Sequence, residues 1–336
     1  MKRYITKLVL FLFPLTCVLP VVFVIDFFKI NGFQDYYSTQ KVGLNREMIT
    51  TKTFNFYREK EKYDSFIFGS SRSNAFKIKE WKPHLNLNSR GFHFDASGEG
   101  IWGISKKVQY IFEAGDTIRN ALIIIDRELL AQTEINKGHL FIPMPCVSKS
   151  SNVEYYYSFF RASLSPKFLI AYCDYYLFGK YRDYMGFLIR NNHYPKSKAN
   201  SINCDVWYGE DVAIKNDSAG YYQELIEKGI FVEPSLIEPI KCNVTDKEVE
   251  LLTNIKEVFN KHKTNYKIVI SPIYDQIPLE KEQLELLYKI FGERNIYNFS
   301  GKNKYTQTIH NYYETSHYRP HVASEIMDII YQCDIK

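Results

Sequence analysis

Hydrophobic and polar positions divide the chain into three zones. From Leu8 to Ile25 runs an uncharged, almost wholly apolar stretch of 18 residues. As a helix at about 1.5 Å per residue it reaches roughly 27 Å, close to the ~30 Å of a bilayer's hydrocarbon core. Pro14 and Pro20 would break an isolated water-soluble helix but are tolerated in membrane spans. Residues 29–62 are polar without a core pattern and read as a tether and lead-in segment. The rest of the chain alternates short apolar runs with stretches apolar at helical spacing.

Ser65-Phe66-Ile67-Phe68, ending at Gly69, reads as a buried strand, and Gly91 to Asp95 as a weaker one. Ile104, Val108, Ile111 and Phe112 share one helix face. Ala121 to Ile125 is the clearest buried strand. Thr245-Asp246-Lys247-Glu248 is a capping box opening a helix whose apolar face is Val249, Leu252, Ile255, Val258 and Phe259. A strand at 266–270 follows, then a helix from Leu279 to Phe291, a short strand at 296–299 and a last helix from His321 to Tyr331. This alternation predicts an α/β fold: a flavodoxin-like three-layer sandwich on a central parallel sheet. The rhythm breaks at about 133–244, where residues 151–190 hold 13 Tyr or Phe with five Lys or Arg interspersed. This stretch reads as a helical, aromatic-rich insertion. It either packs its aromatics inward or forms a cap that rests on a membrane interface or walls the substrate. The expected organisation is a cytoplasmic tail and transmembrane anchor at 1–28, the tether at 29–62, and one domain at 63–336 containing the insertion.

Composition and charge narrow the class. With 45% apolar and 24% charged residues in 336, the chain is neither disordered nor a many-helix membrane protein. The net charge is +5, and Lys2, Arg3 and Lys7 account for three of those charges, which leaves too small a bias for a nucleic-acid binder. The same three residues precede the apolar run. The positive-inside rule therefore predicts a single-pass protein of the cell membrane, with everything after Lys29 outside the cytoplasm. A cleavable signal peptide is the rival, but Val24-Ile25-Asp26-Phe27-Phe28 lacks small residues for a cleavage site; a buried core helix is the third reading. Five of the six cysteines lie outside the run and make no C-x-x-C pair, so no metal site is expected and disulfides cannot be assigned. No cofactor-binding motif is present.

Two clusters carry candidate chemistry. Gly69-Ser70-Ser71-Arg72-Ser73 stands where the first strand ends, the place where doubly wound sheets form their ligand crevice. Glu314-Thr315-Ser316-His317 lies just before the last helix, which Pro320 opens. A serine nucleophile needs a general base, and a histidine base needs a carboxylate to hold its tautomer. Each cluster alone is unspecific. A Gly-Ser-Ser turn is common, and His317 could simply pack at a helix start.

Together, in this order, they resemble the SGNH, or GDSL-like, hydrolase superfamily. The resemblance covers about 64–126 and 246–333 and leaves the middle unmatched. It implies Ser71 as nucleophile, His317 as general base and Glu314 in place of the usual aspartate of the closing D-x-x-H block. It also implies Gly98, in Asp95-Ala96-Ser97-Gly98, as an oxyanion donor. Ile270-Ser271-Pro272 is similar to the proline-ended strand of envelope-bound members. The family's asparagine after the third strand has no counterpart, since Ile125-Asp126-Arg127 stands there; an ionised aspartate cannot donate to an oxyanion. Asn74 or Arg72 is the expected substitute, unless two backbone donors suffice. Arg72 and Arg319 flank the proposed site and are candidates for binding an anionic sugar or phosphate, with structural ion pairs as the plainer reading. An anchor plus such a domain is similar to the proteins of lipoteichoic acid D-alanylation and alginate O-acetylation. The implied function is an extracytoplasmic serine acyltransferase or esterase, adding or removing acyl groups, acetyl by expectation, on a cell-envelope polysaccharide. A membrane-bound O-acyltransferase is its implied partner. The alternative is a non-catalytic anchored assembly or glycan-binding component that keeps the fold.

Overall fold

The computed structural model describes Tyr4, Lys7, residues 24–33, Tyr36, and residues 42–190, 200–203, 209–234, 239–241 and 243–332. Five parallel strands form the central sheet: β1 (Ser65–Gly69), β2 (Gly91–Asp95), β3 (Asn120–Ile125), β4 (Asn265–Ile270) and β5 (Ile296–Asn298), in the order β2-β1-β3-β4-β5. That is the flavodoxin-like order, and its switch point lies between β1 and β3. A two-stranded hairpin, β6 (Tyr312–Glu314) with β7 (His317–Tyr318), stands apart from the sheet. The helices, in chain order, are α1 (Arg46–Glu61), α2 (Ile78–Trp81), α3 (Ile101–Glu113), α4 (Arg127–Ala131), α5 (Pro145–Ser148) and α6 (Asn152–Ser163). They continue with α7 (Pro166–Phe178), α8 (Glu210–Asn216), α9 (Ser218–Glu227), α10 (Asp246–His262), α11 (Lys281–Phe291) and α12 (Pro320–Gln332).

β1 and β3 are buried on both faces along their whole length, which is why they read as apolar runs rather than alternating ones. Phe66, Phe68, Ile123 and Ile125 point into one layer with α3, α10 and α11. Ile67, Leu122, Ile124 and Val269 point into the opposite layer with α12, Ile78 and Trp81. Phe112 lies off the buried face of α3 and is 38% exposed. Leu251, rather than Val249, completes the buried stripe of α10.

The segment expected to be a tether contains α1, a 16-residue helix docked on β2. Its inward positions are polar: Arg46, Glu47, Thr50, Thr51 and Thr53 are buried beside Met48, Ile49 and Phe54. Arg46 clamps Asp95 of β2 through Nε at 2.9 Å and Nη2 at 2.8 Å. A helix that docks through hydrogen bonds leaves no apolar stripe to detect. Lys52 donates to the carbonyls of Ile30 (2.7 Å) and Gly32 (2.8 Å), and burial lowers its pKa to about 8.

The insertion divides in two. α6 and α7 join Phe28, Tyr36, Met48 and Ile49 in a third apolar cluster. α8 and α9 contribute Ile214 and Tyr222 to the layer that holds α12. Cys146 and Cys173 are free; the other four cysteines lie outside the described residues. Among the described residues no helix is long and apolar enough to cross a membrane, and of the run from Leu8 to Ile25 only Val24 and Ile25 are described.

Candidate active site

Gly69 ends β1 where a side chain has no room. A Cβ there would lie 2.8 Å from both the Ile124 carbonyl oxygen and the Ser73 Cβ. The chain then turns into a short 3-10 segment, Ser71–Ala75, capped by Ser70. Ser71 is thus delivered to the C-terminal edge of the sheet beside the switch point, the usual ligand crevice of this topology.

Glu314 and His317 face each other across the two-residue turn Thr315-Ser316. Opposed hairpin residues carry their side chains in mutual reach, which is the geometric meaning of the Glu-x-x-His spacing. Glu314 Oε1 makes a short hydrogen bond with His317 Nδ1, and its other oxygen accepts from the Ser316 N–H at 2.8 Å. His317 Nε2 lies 2.7 Å from Ser71 Oγ. An ionised carboxylate only accepts, so Nδ1 carries the imidazole proton and the Nε2 lone pair faces the serine hydroxyl. Burial works against ionisation of Glu314, but the His317 hydrogen bond and charge, the Ser316 N–H and Arg72 together hold its carboxyl below the ordinary range. The side chains of His317 and Glu314 stay 29% and 38% exposed, so the group is open to solutes.

The hairpin is fastened on several sides. Tyr312 Oη donates to the Pro272 carbonyl (3.1 Å), and Tyr318 Oη pairs with Ser271 Oγ (3.3 Å) beyond β4. From the insertion, Tyr221 Oη and Tyr222 Oη donate to the carbonyls of Tyr313 (2.7 Å) and Tyr312 (2.9 Å). Arg72 Nε donates to the Ser316 carbonyl at 3.1 Å.

For Arg72 the sequence leaves open a substrate ligand, an oxyanion donor and, more plainly, a structural ion pair. Its other nitrogens hold Asp126 and Glu128, each at 2.8 Å, and its side chain is only 10% exposed. A guanidinium buried between two carboxylates and a carbonyl is a structural brace. Asp126, at the position of the absent asparagine, accepts from Arg72 and caps α4 by accepting from the N–H groups of Glu128 and Leu129, both at 3.0 Å. Arg319 sends Nη1 to the His310 carbonyl (3.3 Å) and sits near Asp211 (4.0 Å), so it braces the hairpin's flank rather than presenting its charge. Asn74 is buried, and its Oδ1 has no partner among the described residues.

Gly98 follows β2 in the left-handed region, φ +58°, which favours glycine. Its carbonyl accepts from Asn136 Nδ2 at 2.9 Å, while its N–H makes no hydrogen bond among the described residues. Sequence reasoning missed Lys107, which is buried in α3 and donates to the Asp95 carbonyl (3.0 Å) and Glu99 Oε2 (2.5 Å), pinning the loop that carries Gly98. Its signal was available: Ile104, Lys107, Val108 and Ile111 fall on one helical stripe, and a lysine inside such a stripe needs partners.

A second serine–histidine pair lies nearby. Ser73 Oγ is 2.9 Å from His93 Nε2 and 2.7 Å from the Ser70 carbonyl. The carbonyl can only accept, so it takes the hydroxyl proton, and His93 must be the donor to Ser73. Burial lowers the His93 pKa to about 4, keeping it neutral. This pair is sealed in the core and cannot activate a nucleophile. No group of three or more His, Cys, Asp or Glu side chains among the described residues could hold a metal ion. No protein-family model and no curated protein sequence matches the chain.

Proposed function

We propose that the protein is an SGNH-like serine acyltransferase or esterase. The observation that carries this reading is the relay Ser71–His317–Glu314, with Ser71 Oγ 2.7 Å from an imidazole nitrogen whose far side is held by a carboxylate. In this reading Ser71 Oγ attacks the carbonyl carbon of an ester while His317 Nε2 takes its proton. Glu314 stabilises the resulting imidazolium. The negative oxygen of the tetrahedral intermediate is met by the backbone N–H groups of Ser71 and Gly98. Collapse expels the alcohol, protonated by His317, and leaves an acyl-serine. A second hydroxyl or water then attacks, giving transfer or hydrolysis. The apolar run from Leu8 to Ile25 with Lys2, Arg3 and Lys7 before it supports a single membrane anchor with the catalytic domain outside the cytoplasm. That location supports a cell-envelope polysaccharide as substrate and a membrane-bound O-acyltransferase as acyl supplier.

The second reading, a non-catalytic anchored component, is favoured by one observation: Asp126 is occupied as a cap and ion-pair partner, so no side-chain donor stands where the family keeps its asparagine. A fluorophosphonate probe separates the two. Covalent labelling that disappears in Ser71→Ala supports the enzyme. A wild-type chain that takes no label and leaves the acyl content of the surface polymer unchanged on deletion sinks it.

A further inference from the structure

α7 reads Pro-Lys-Phe-Leu-Ile-Ala-Tyr-Cys-Asp-Tyr-Tyr-Leu-Phe and is apolar almost all round. Only Phe168, Ala171 and Tyr175 are buried, a stripe at i, i+3 and i+7. Ile170, Leu177 and Phe178 are 62%, 72% and 68% exposed, and Phe187, just beyond, is 91% exposed. A helix whose only charged positions are Lys167 and Asp174 belongs in a core or in lipid, and the described residues supply a core for one stripe only. At 13 residues α7 is about 20 Å long, too short to cross a bilayer.

The buried stripe of α7, opposite this exposed face, packs on the residues that leave the apolar run. Phe27, two residues past the end of the apolar run, packs edge-on to Phe168 and Tyr172 of α7 at 5.3 and 4.8 Å. Phe28 packs on Phe159 of α6 and on Phe168. A groove of about 470 Å³, lined on one side by Phe27 and Phe28 and on the other by Val153, Tyr156 and Tyr157 of α6, opens beside the same junction. If the run ends at a membrane surface, α7 is held at that surface by direct contact with the residues that leave it. Its tyrosines suit the belt where aromatic rings meet headgroups. Lys167 and Lys180 at its two ends suit anionic lipid.

We infer that α7, with Phe187, is an interfacial helix that lays the domain onto the outer surface of the bilayer carrying the anchor. The inference rests on the membrane-anchor reading given above and adds a second lipid contact to it.

The test uses the full chain reconstituted in vesicles of phosphatidylcholine with phosphatidylglycerol. Three variants each add one tryptophan: Leu177→Trp, Phe187→Trp and, inside the apolar run, Val18→Trp. Emission above wild type is read with lipids brominated near the headgroup or deep in the chains. Since an interfacial helix sinks its apolar face about 5–10 Å into the headgroup boundary, shallow bromines are expected to quench the added emission of Leu177→Trp and Phe187→Trp by roughly half or more. Val18→Trp is expected to respond to the deep bromines. Quenching of Val18→Trp with neither surface reporter responding overturns the interfacial helix and leaves the anchor standing. No quenching of Val18→Trp overturns the anchor itself. Unquenched surface reporters in a chain that cross-links to its own copy through α7 assign the face to a second protomer, which also overturns the inference.

Discussion

Arg72, the residue after Ser71, donates from Nε to the carbonyl of Ser316, the residue before His317, at 3.1 Å. One side chain therefore sets the spacing between the proposed nucleophile turn and the proposed base hairpin. It can do so because Asp126 and Glu128 fix its other two nitrogens. The separation of Ser71 from His317 is thus tied to the end of β3, an element that contributes no atom to the relay.

Ser71→Ala is expected to abolish covalent labelling by a fluorophosphonate and any measurable turnover. Removing the nucleophile of a comparable triad costs on the order of 10⁶. Ser73→Ala should keep its label, because the Ser73 hydroxyl proton is committed to the Ser70 carbonyl and its histidine is a donor. Labelling that survives Ser71→Ala but not Ser73→Ala would reverse the assignment.

Glu314→Gln should preserve the fold and lower the rate by roughly 10²–10³, since an amide can hold the wrong histidine tautomer while a partly exposed acid is less decisive than a buried one. His317→Ala should cost at least as much, and the double variant little more, because residues acting as a unit are not additive. The hydrogen bond and charge of His317, against the pull of burial, keep the Glu314 carboxyl below its ordinary range. Activity lost on acidification while the pH is still above about 4.5 is therefore not Glu314 taking up a proton. Polymer acyl content or ester hydrolysis provides the measurement; full activity in Glu314→Gln would dissolve the relay.

Arg72→Met should hurt both stability and rate. It leaves Asp126 buried without its cation, a loss of about 3–5 kcal/mol for a broken buried pair, and frees the Ser316 carbonyl. In Asp126→Asn the cap survives, because asparagine caps nearly as well as aspartate. That variant is expected to gain no activity, since the side chain still faces Arg72 and α4. A faster Asp126→Asn enzyme would show that this position reaches the oxyanion after all.

The buried ion pair between Arg46 and Asp95 makes α1 part of the domain. Arg46→Met should lower the unfolding free energy by about 3–5 kcal/mol, because Asp95 is left charged in the core. Adding Asp95→Asn should restore much of the loss. A thermal midpoint unmoved in Arg46→Met would return α1 to the role of a tether.

His93 makes stability fall on mild acidification. Its folded pKa, lowered by burial to about 4, lies below the ordinary value of 6.5. The unfolded chain therefore binds the proton more readily. The contribution is complete above pH 6.5 and is lost progressively down to about 4, at most on the order of 3 kcal/mol. His93→Gln, which can still donate to Ser73, should flatten this part of the stability curve. Equal slopes for wild type and variant between pH 7 and 4 would refute the assignment.

Much of this architecture could be read along the chain. β1 and β3 are buried on both faces, so each appears as an apolar run, and α10 declares itself by its Thr245 cap, which accepts from the Glu248 N–H at 3.1 Å. Ser71, Glu314 and His317 could be singled out because a strand-ending turn and a two-residue hairpin are local structures, specified by local residue types. What only the tertiary structure decided is what polar side chains do at long range. α1 docks through Arg46, Glu47 and Thr50, so it leaves no hydrophobic period. Along the chain Arg72 is open to a substrate, oxyanion or ion-pair role and Asp126 stands where an asparagine is expected; their partnership exists only because folding brings them within 2.8 Å of each other. The same is true of Ser73 and Ser71, two residues apart and chemically identical. Their difference arises because one turn buries Ser73 against His93 while leaving Ser71 at the sheet edge, 246 residues from the histidine it meets.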